Sequence, residues 1–423
     1  MTMPFATEHP FTTDQDISST VFWDQPFAER DKTFAWLRAN APVSWHPPLE
    51  NPALPADVHG EKGFWAVTRA EEIRYVSQNQ DIFSSAVGGV EFRPRDPALP
   101  MPPSFLEMDP PEHTHYRQIM SAAFTPKAVK RLTAQIEERA EKIVGAVAGA
   151  GDFDFVERVA AKLPMLTVAD MVGVPESLTE EFARAGDDLI SAMGGGPPEG
   201  ANLLEYMFQQ MTVLRQIGVD LVEHRRKHPA DDIATALATA RIDGRPLSED
   251  DIQSLMVLLS VAGNDTTKQT TSWTAYNLDR NPDQRAWLAE DFDGRIMASI
   301  EEFVRHASPV VEFARTATRD TELAGQKITA GDKVVIFYCS GNRDESVFPD
   351  PHKFDLTRPR SAHVGFGGGG VHFCLGNGVA KAQLRALFRQ ILTKLPDLRI
   401  TGEPALMRSE FINGVTHLPA STR

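Results

Sequence analysis

Cysteine is nearly missing from this sequence: only Cys339 and Cys374 occur in 423 residues. Two thiols cannot staple a disulfide scaffold, and they cannot supply an all-cysteine zinc or iron–sulfur centre. Long apolar runs are missing too. The strongest, Leu255–Gly263, is far shorter than the roughly 20 residues a bilayer span requires. The first fifteen residues show no basic segment followed by an apolar one, so no secretory signal is expected and a cytoplasmic location is the default. Positive charge is scarce: 43 Lys and Arg face 58 Asp and Glu, for a net charge of −15. Nucleic acid and anionic membranes select for basic surfaces, so neither nucleic acid nor a membrane anchor is expected. No stretch of 20–50 residues repeats, which excludes solenoids and propellers. What remains is a globular composition, long enough to bury a large core and a sizeable ligand.

Helical periodicity dominates, over Lys127–Gly149, Phe155–Met171, Leu203–His228, Ser248–Asn281, Ile296–Ala307 and Gly376–Leu395. Pro164 is expected to kink or split the second of these. Strand-like runs are short: Gly63–Thr68, Lys333–Tyr338 and Leu398–Ile400. The expected fold class is therefore mainly α with small β-sheets. Two irregular stretches, Gly88–Phe105 with its five prolines and Met193–Ala201 with Gly194–Gly196, read either as lids or as surface insertions.

Four segments carry chemistry. The first is Phe366-Gly-Gly-Gly-Gly-Val-His372-Phe-Cys374-Leu-Gly376. Four glycines let backbone approach a flat or bulky ligand. Val371-His372 replaces the Lys-Ser/Thr of a phosphate loop. A thiolate at Cys374, just before a helix starting near Gly376, accepts N–H bonds, and the helix dipole lowers its pKa. A lone cysteine reads as a small buried hydrophobe; the glycine run, His372 and the helix start together favour a metal-binding thiolate. The second segment is Ala262-Gly263-Asn264-Asp265-Thr266-Thr267, after the apolar Leu255–Val261. Glycine, acid and hydroxyl inside a buried helix suggest a notch facing a ligand, with Asp-Thr able to relay protons. Equally, Asn264 or Asp265 could cap a new helix. The third, Glu302-Phe-Val-Arg305, puts acid and guanidinium on one helix face, normally an exposed pair of small worth. In the fourth, Asp109 reads as an N-cap, Pro110 as the first helical residue and Glu112 as its capping-box partner. His113 and Arg117 then share a face that suits a carboxylate, or is simply solvated.

Taken in order along the chain, these four segments closely resemble the cytochrome P450 family of haem-thiolate monooxygenases. The resemblance runs from about residue 20 to the end. It implies a triangular helical prism with a β-rich lobe, as one domain spanning 1–423. That lobe would draw on about 20–80, parts of 310–345 and the C-terminal region, and a central helix at about Ser248–Asn281 would cover the distal haem face. By family position Cys374 is the thiolate ligand of haem b. Asp265 and Thr266 are the acid–alcohol pair that delivers protons, and Gly263 leaves room for dioxygen. His113, Arg117, Arg315 and His372 match the propionate ligands, while Phe366 and Gly376 contact the haem. The commonest form of the loop has its aromatic where Gly367 stands here; Phe366 lies one residue further back. Glu302, Arg305 and Arg358 match a structural ion network. The resemblance further implies consumption of O2 and NAD(P)H-derived electrons, with a ferredoxin or flavodoxin and its reductase as donor. Lys127, Lys130, Arg131, Lys381 and Arg385 would attract that donor, or merely solubilise the surface. Val87, Val90, Phe92, Leu258, Val261, Ala262, Val310, Val311, Phe313, Phe411 and Ile412 are candidates to line the pocket, with ordinary core packing as the alternative. The loop form, Phe337–Ser346 and Phe411–Val415 look like an actinobacterial branch acting on sterol side chains, methyl-branched lipids and related isoprenoids. Two competing readings are a peroxide-driven haem enzyme of the same fold, against which Asp265-Thr266 speaks, and a non-enzymatic haem sensor.

Overall fold

A computed structural model describes residues 9–51, 60–93, 104–195, 198–359 and 362–423. A five-stranded sheet forms one side of the molecule, in the order Val43–His46, Phe64–Val67, Lys333–Phe337, Glu312–Ala317, Phe83–Ser84. Its middle strand, Lys-Val-Val-Ile-Phe, is buried along its whole length. Side chains alternate across a strand, and here both faces are covered. Val334 and Ile336 join Trp45, Trp65 and Val67 on one side. Val335 and Phe337 join Phe34, Phe64 and Phe92 on the other. Val334 lies opposite Arg315, so register alone sets the face of Arg315. The sheet draws on 43–84 and 312–337.

Beside four smaller sheets of two or three strands, the helical part centres on Glu249–Arg280, a helix of 32 residues. Its start is fixed by a capping box: the Ser248 hydroxyl accepts the Asp251 N–H, and the Asp251 carboxylate accepts the Ser248 N–H at 2.8 Å. Its first half packs against Leu203–Lys227 at close range, since a Cβ on Gly218 would stand 2.4 Å from Met256. Its second half buries many hydroxyls. Thr270, Thr271 and Ser272 each donate to the carbonyl four residues back, at 2.8–2.9 Å, which satisfies them without outside partners.

The predicted helices at 203, 248 and 376 end within a residue or two of the observed Leu203–Lys227, Glu249–Arg280 and Asn377–Lys394. Two expectations are corrected. Phe155–Met171 does divide, but at Ala161, between a π-helical turn at Val156–Ala160 and the helix Lys162–Val172. Pro164 sits in the first turn of that second helix, where no intrahelical partner awaits its missing N–H. Asp109 does not cap: the helix is Glu112–Ser121, and the Asp109 carboxylate instead binds the Ser84 hydroxyl and, at 2.9 Å, the Ser85 N–H. Helices Phe27–Asn40, Ala70–Gln78 and Glu176–Gly195 have no counterpart among the sequence expectations. Among the described residues no helix is long and apolar enough to cross a membrane.

Candidate active site

Cys374 lies on the wall of a cavity of about 270 Å³, together with Thr266, Gly263 and Arg315. The Cys374 N–H donates to the Phe366 carbonyl at 3.0 Å, closing the glycine loop into a tight turn. Gly367, Gly369 and Gly370 all have φ between +73° and +97°, which excludes most other residues. The glycines serve packing as much as ligand approach. A Cβ on Gly368 or Gly370 would stand within 2.4 Å of Ser77 in the helix Ala70–Gln78, while Gly367 and Phe366 face the cavity. The Gln78 amide also donates to the Gly368 carbonyl at 3.0 Å. The helix-dipole argument predicts a lowered thiol at Cys374. Instead burial pushes it up, against the N–H groups of Gly376 and Asn377 and the charge of Arg117. A deprotonated sulfur here therefore calls for a further positive charge, such as a coordinated metal ion.

Beside the cysteine, four nitrogen-bearing side chains converge. Arg117, Arg315 and His372 line the cavity, and the His113 ring stands 4.4 Å behind that of His372. Arg315 is buried and, among the described residues, bonds its neighbour's carbonyl alone, while Arg117 donates to the Phe373 carbonyl at 2.5 Å. Both ring nitrogens of His113, and Nε2 of His372, are buried without a partner among the described residues. Burial and the nearby guanidinium groups hold His113 down to about 4 and His372 down to about 2. Among the described residues no carboxylate forms an ion pair with this group, so it is a site built for an anion. A haem, whose propionates are anionic and whose iron takes a thiolate, fits this donor set.

In the central helix, Thr266 faces the cavity and its hydroxyl donates to the Ala262 carbonyl at 3.0 Å. Asp265 does not line the cavity. Fully buried, it pairs through Oδ1 with Lys268 at 2.6 Å, and Lys268 pairs in turn with Asp187 at 3.0 Å. Burial opposes the charge on Lys268, but the two carboxylates outweigh it and hold the ammonium protonated above its ordinary range. Oδ2 of Asp265 is buried without a partner. The helix runs unbroken through Asn264 and Asp265, so neither is a cap. Gly263 has a packing reason rather than open space beside it: a Cβ there would stand 2.5 Å from Cγ2 of Val168.

Eight of the eleven pocket candidates line the cavity: Val90, Leu258, Val261, Ala262, Val310, Phe313, Phe411 and Ile412. Three do not. Phe92 and Val311 are buried in the core cluster with Phe34 and Phe337. Val87 lies in a turn whose N–H binds the Ser84 hydroxyl at 2.9 Å. The wall also includes Phe105, Val168, Met171 and Ile190, which sequence reasoning missed. Phe105 ends the proline-rich stretch, the one signal that pointed there; most of that stretch, 94–103, lies outside the described residues, as do 196–197 of the second one.

The Glu302–Arg305 pair is almost wholly buried, which overturns its reading as an exposed pair. Two bonds of 2.7 Å join them, and Arg305 also reaches the Asn342 and Pro351 carbonyls, while Arg358 approaches Glu302 at 3.3 Å. A second network went unseen in the sequence: Glu301 accepts from His363 at 2.9 Å and from Lys381 at 2.7 Å. It ties the cysteine loop's approach to two helices. Of the five surface cations, Arg131, Lys381 and Arg385 are already in ion pairs, whereas Lys127 and Lys130 are exposed.

A cysteine and a helical threonine on one apolar cavity, with an anion site alongside, define an enzyme built around a thiolate-held cofactor. The chain belongs to the cytochrome P450 family, whose members carry haem on a cysteine thiolate: residues 202–396 match that family directly. It is 39% identical over 412 residues to a methyl-branched lipid omega-hydroxylase of Mycobacterium tuberculosis, covering 96% of this chain and 94% of the relative. It is 37% identical over 391 residues to a steroid C26-monooxygenase of Mycobacterium bovis, covering 91% and 87%. A Mycobacterium marinum cytochrome P450, solved in complex with pseudoionone, superposes with a TM-score of 0.91 at 44% identity, covering 98% of this chain and all of that one. The protein is thus an oxidoreductase, a monooxygenase acting on a hydrophobic substrate.

Proposed function

We propose that the chain, acting as one catalytic unit, hydroxylates an unactivated C–H bond in a neutral, branched or isoprenoid substrate: a methyl-branched lipid, a sterol side chain or a terpenoid. The observation that carries this reading is the apolar cavity shared by Cys374 and Thr266. The relatives' named activities and the pseudoionone complex support the substrate class. When bound, haem b supplies the activation of dioxygen with two external electrons, one oxygen atom entering the substrate and the other leaving as water.

The chain's own residues divide the remaining work. Cys374 holds the cofactor by its sulfur. Arg117, Arg315, His113 and His372 would hold its propionates, each neutral imidazole donating its one ring N–H. Phe366 and Gly376 border it. Glu302, Arg305 and Arg358 fix the backbone behind it. Leu258, Val261, Ala262, Phe313 and Phe411 exclude water and orient the substrate. Thr266 Oγ1 is the last proton donor, and Asp265, paired with Lys268, passes it a proton that its open Oδ2 has first taken up from solvent. A ferredoxin or flavodoxin with an NAD(P)H-dependent reductase donates electrons beside Lys127, Lys130 and the exposed Phe373, which immediately precedes Cys374.

Optical titration tests the reading. Purified protein should show the thiolate signature in its reduced carbon monoxide complex, and a low-to-high-spin shift with branched lipids, sterols or terpenoids. A thiolate signature with no shift for any of these classes would discard the substrate assignment. Haem-loaded protein lacking the signature would discard the ligand assignment.

A further inference from the structure

Gln269, one turn beyond Asp265, is fully buried and touches two parts of the site at once. Its Oε1 accepts the Val415 N–H at 2.7 Å, and its Nε2 donates to Asp265 Oδ1 at 3.3 Å. The orientation of this amide is not free. A backbone N–H can only donate, so the oxygen must face Val415 and the NH2 must face the carboxylate. Val415 opens the strand Val415–His417, which pairs with Ala405–Leu406, and between them the chain loops out to place Phe411 and Ile412 on the cavity wall. Gly414 makes room for the contact: a Cβ there would stand 3.3 Å from Gln269 Nε2. The same loop has a second tether, from Trp273 Nε1 to the Asn413 carbonyl at 2.9 Å, and that one does not reach Asp265.

We propose that Gln269 is a positioning residue that couples the substrate-contacting loop to the proton-delivering acid. Substrate pressing on Phe411 and Ile412 shifts the Val415 N–H, and the planar amide follows it. Through its bond to Oδ1 the amide draws Asp265 toward Thr266. In the empty site the ion pair with Lys268 keeps the carboxylate turned away, so protons and reducing equivalents are not spent without substrate. The inference rests on the reading of Asp265 and Thr266 as the proton-delivery pair.

Gln269→Glu separates the two bonds. It keeps the length and an acceptor for Val415, but replaces the donor facing Asp265 with a carboxylate. The expected result is a substrate dissociation constant within about twofold of wild type, with product per NADH lowered about fivefold and peroxide raised to match. Lowering the pH from about 8 to about 6 should restore part of the yield, because a protonated carboxyl donates again. Trp273→Phe loosens the same loop without touching Asp265; it should weaken substrate binding and leave product per NADH unchanged. Gln269→Met, uncharged and of similar length, covers the case in which the carboxylate variant does not fold; it should lose yield with no recovery at low pH. Thr266→Ala and Asp265→Asn are run alongside. If both uncouple but the Gln269 variants keep the wild-type yield, the coupling role is overturned alone. A yield loss in Trp273→Phe equal to that in Gln269→Glu also overturns it, since loop looseness would then suffice. If Thr266→Ala and Asp265→Asn keep the wild-type yield, the proton-pair reading fails and the inference falls with it.

Discussion

Behind the Cys374 loop, polar groups are paired to near completion. Arg305 spends its guanidinium on Glu302 and on backbone carbonyls, and Glu301 is gripped from two sides. The middle of the central helix is different. Oδ2 of Asp265 and Oδ1 of Asn264 are buried with no partner, and the Thr266 hydroxyl has only its own helix to bond. Both regions are deep and polar, so burial alone does not separate them. The first fixes a backbone that has to present a sulfur at one position. The second leaves acceptor sites open, where the proposed function has protons arrive and leave. Unsatisfied buried groups cost stability, and they are tolerated where function uses them.

That contrast can be broken at either end. The largest effect is expected from Cys374→Ser. It should abolish the thiolate signature and lower turnover by at least about a hundredfold; an unchanged spectrum of the reduced carbon monoxide complex would remove the ligand assignment. Next comes Arg305→Met, which leaves buried Glu302 with only the Asp355 N–H and Arg358 among the described residues and strips the Asn342 and Pro351 carbonyls of this donor. Denaturant unfolding should register a loss of about 3–5 kcal/mol. A loss below 1 kcal/mol would mean that this network is ornamental after all.

Gly263→Ala sits on the boundary between the two regions. The added methyl meets Val168, and the expected cost is about 1–3 kcal/mol. Val168→Ala in the same chain should recover most of it. If stability is not recovered, the glycine is there for another reason, such as room for dioxygen. The smallest effect concerns Glu301. Burial opposes its ionisation, but bonds from His363 and Lys381 prevail and hold it down to about 2, against an ordinary value of 4.5. A depressed carboxylate stabilises the fold above its unfolded value and ceases to do so as pH falls toward its folded one. Glu301→Gln should therefore lower stability by about 1 kcal/mol at neutral pH, solvent screening keeping it below the full linkage value. In thermal unfolding the gap from wild type should close between about pH 4.5 and pH 2. A gap independent of pH would show that the ion pairs are not its source.

Much of this site was legible in the sequence because its signals are local. The glycine run before Cys374 demands positive φ, and the notch at Gly263–Thr266 interrupts an otherwise apolar helix. The capped start at Ser248 is likewise written in four consecutive residues. Other features were invisible or misread because they depend on what lies across the fold. Asp109 looks like a cap until Ser84 and Ser85 approach it. Val311 and Phe92 look like pocket residues until the sheet turns them into the core. The Glu302–Arg305 spacing is that of any surface pair, and only the chain at 342–353 buries it.

The sequence by itself determined the family and several of the long helices and singled out the candidate side chains, since each is carried by residues within a turn or two of one another. Only the tertiary structure decided which way those side chains face. Asp265 and Thr266 are neighbours in the chain, yet helical geometry sends one toward Lys268 and the other into the cavity. Gln269 bonds a residue 146 positions away. Such partnerships follow from packing, and no local pattern encodes them.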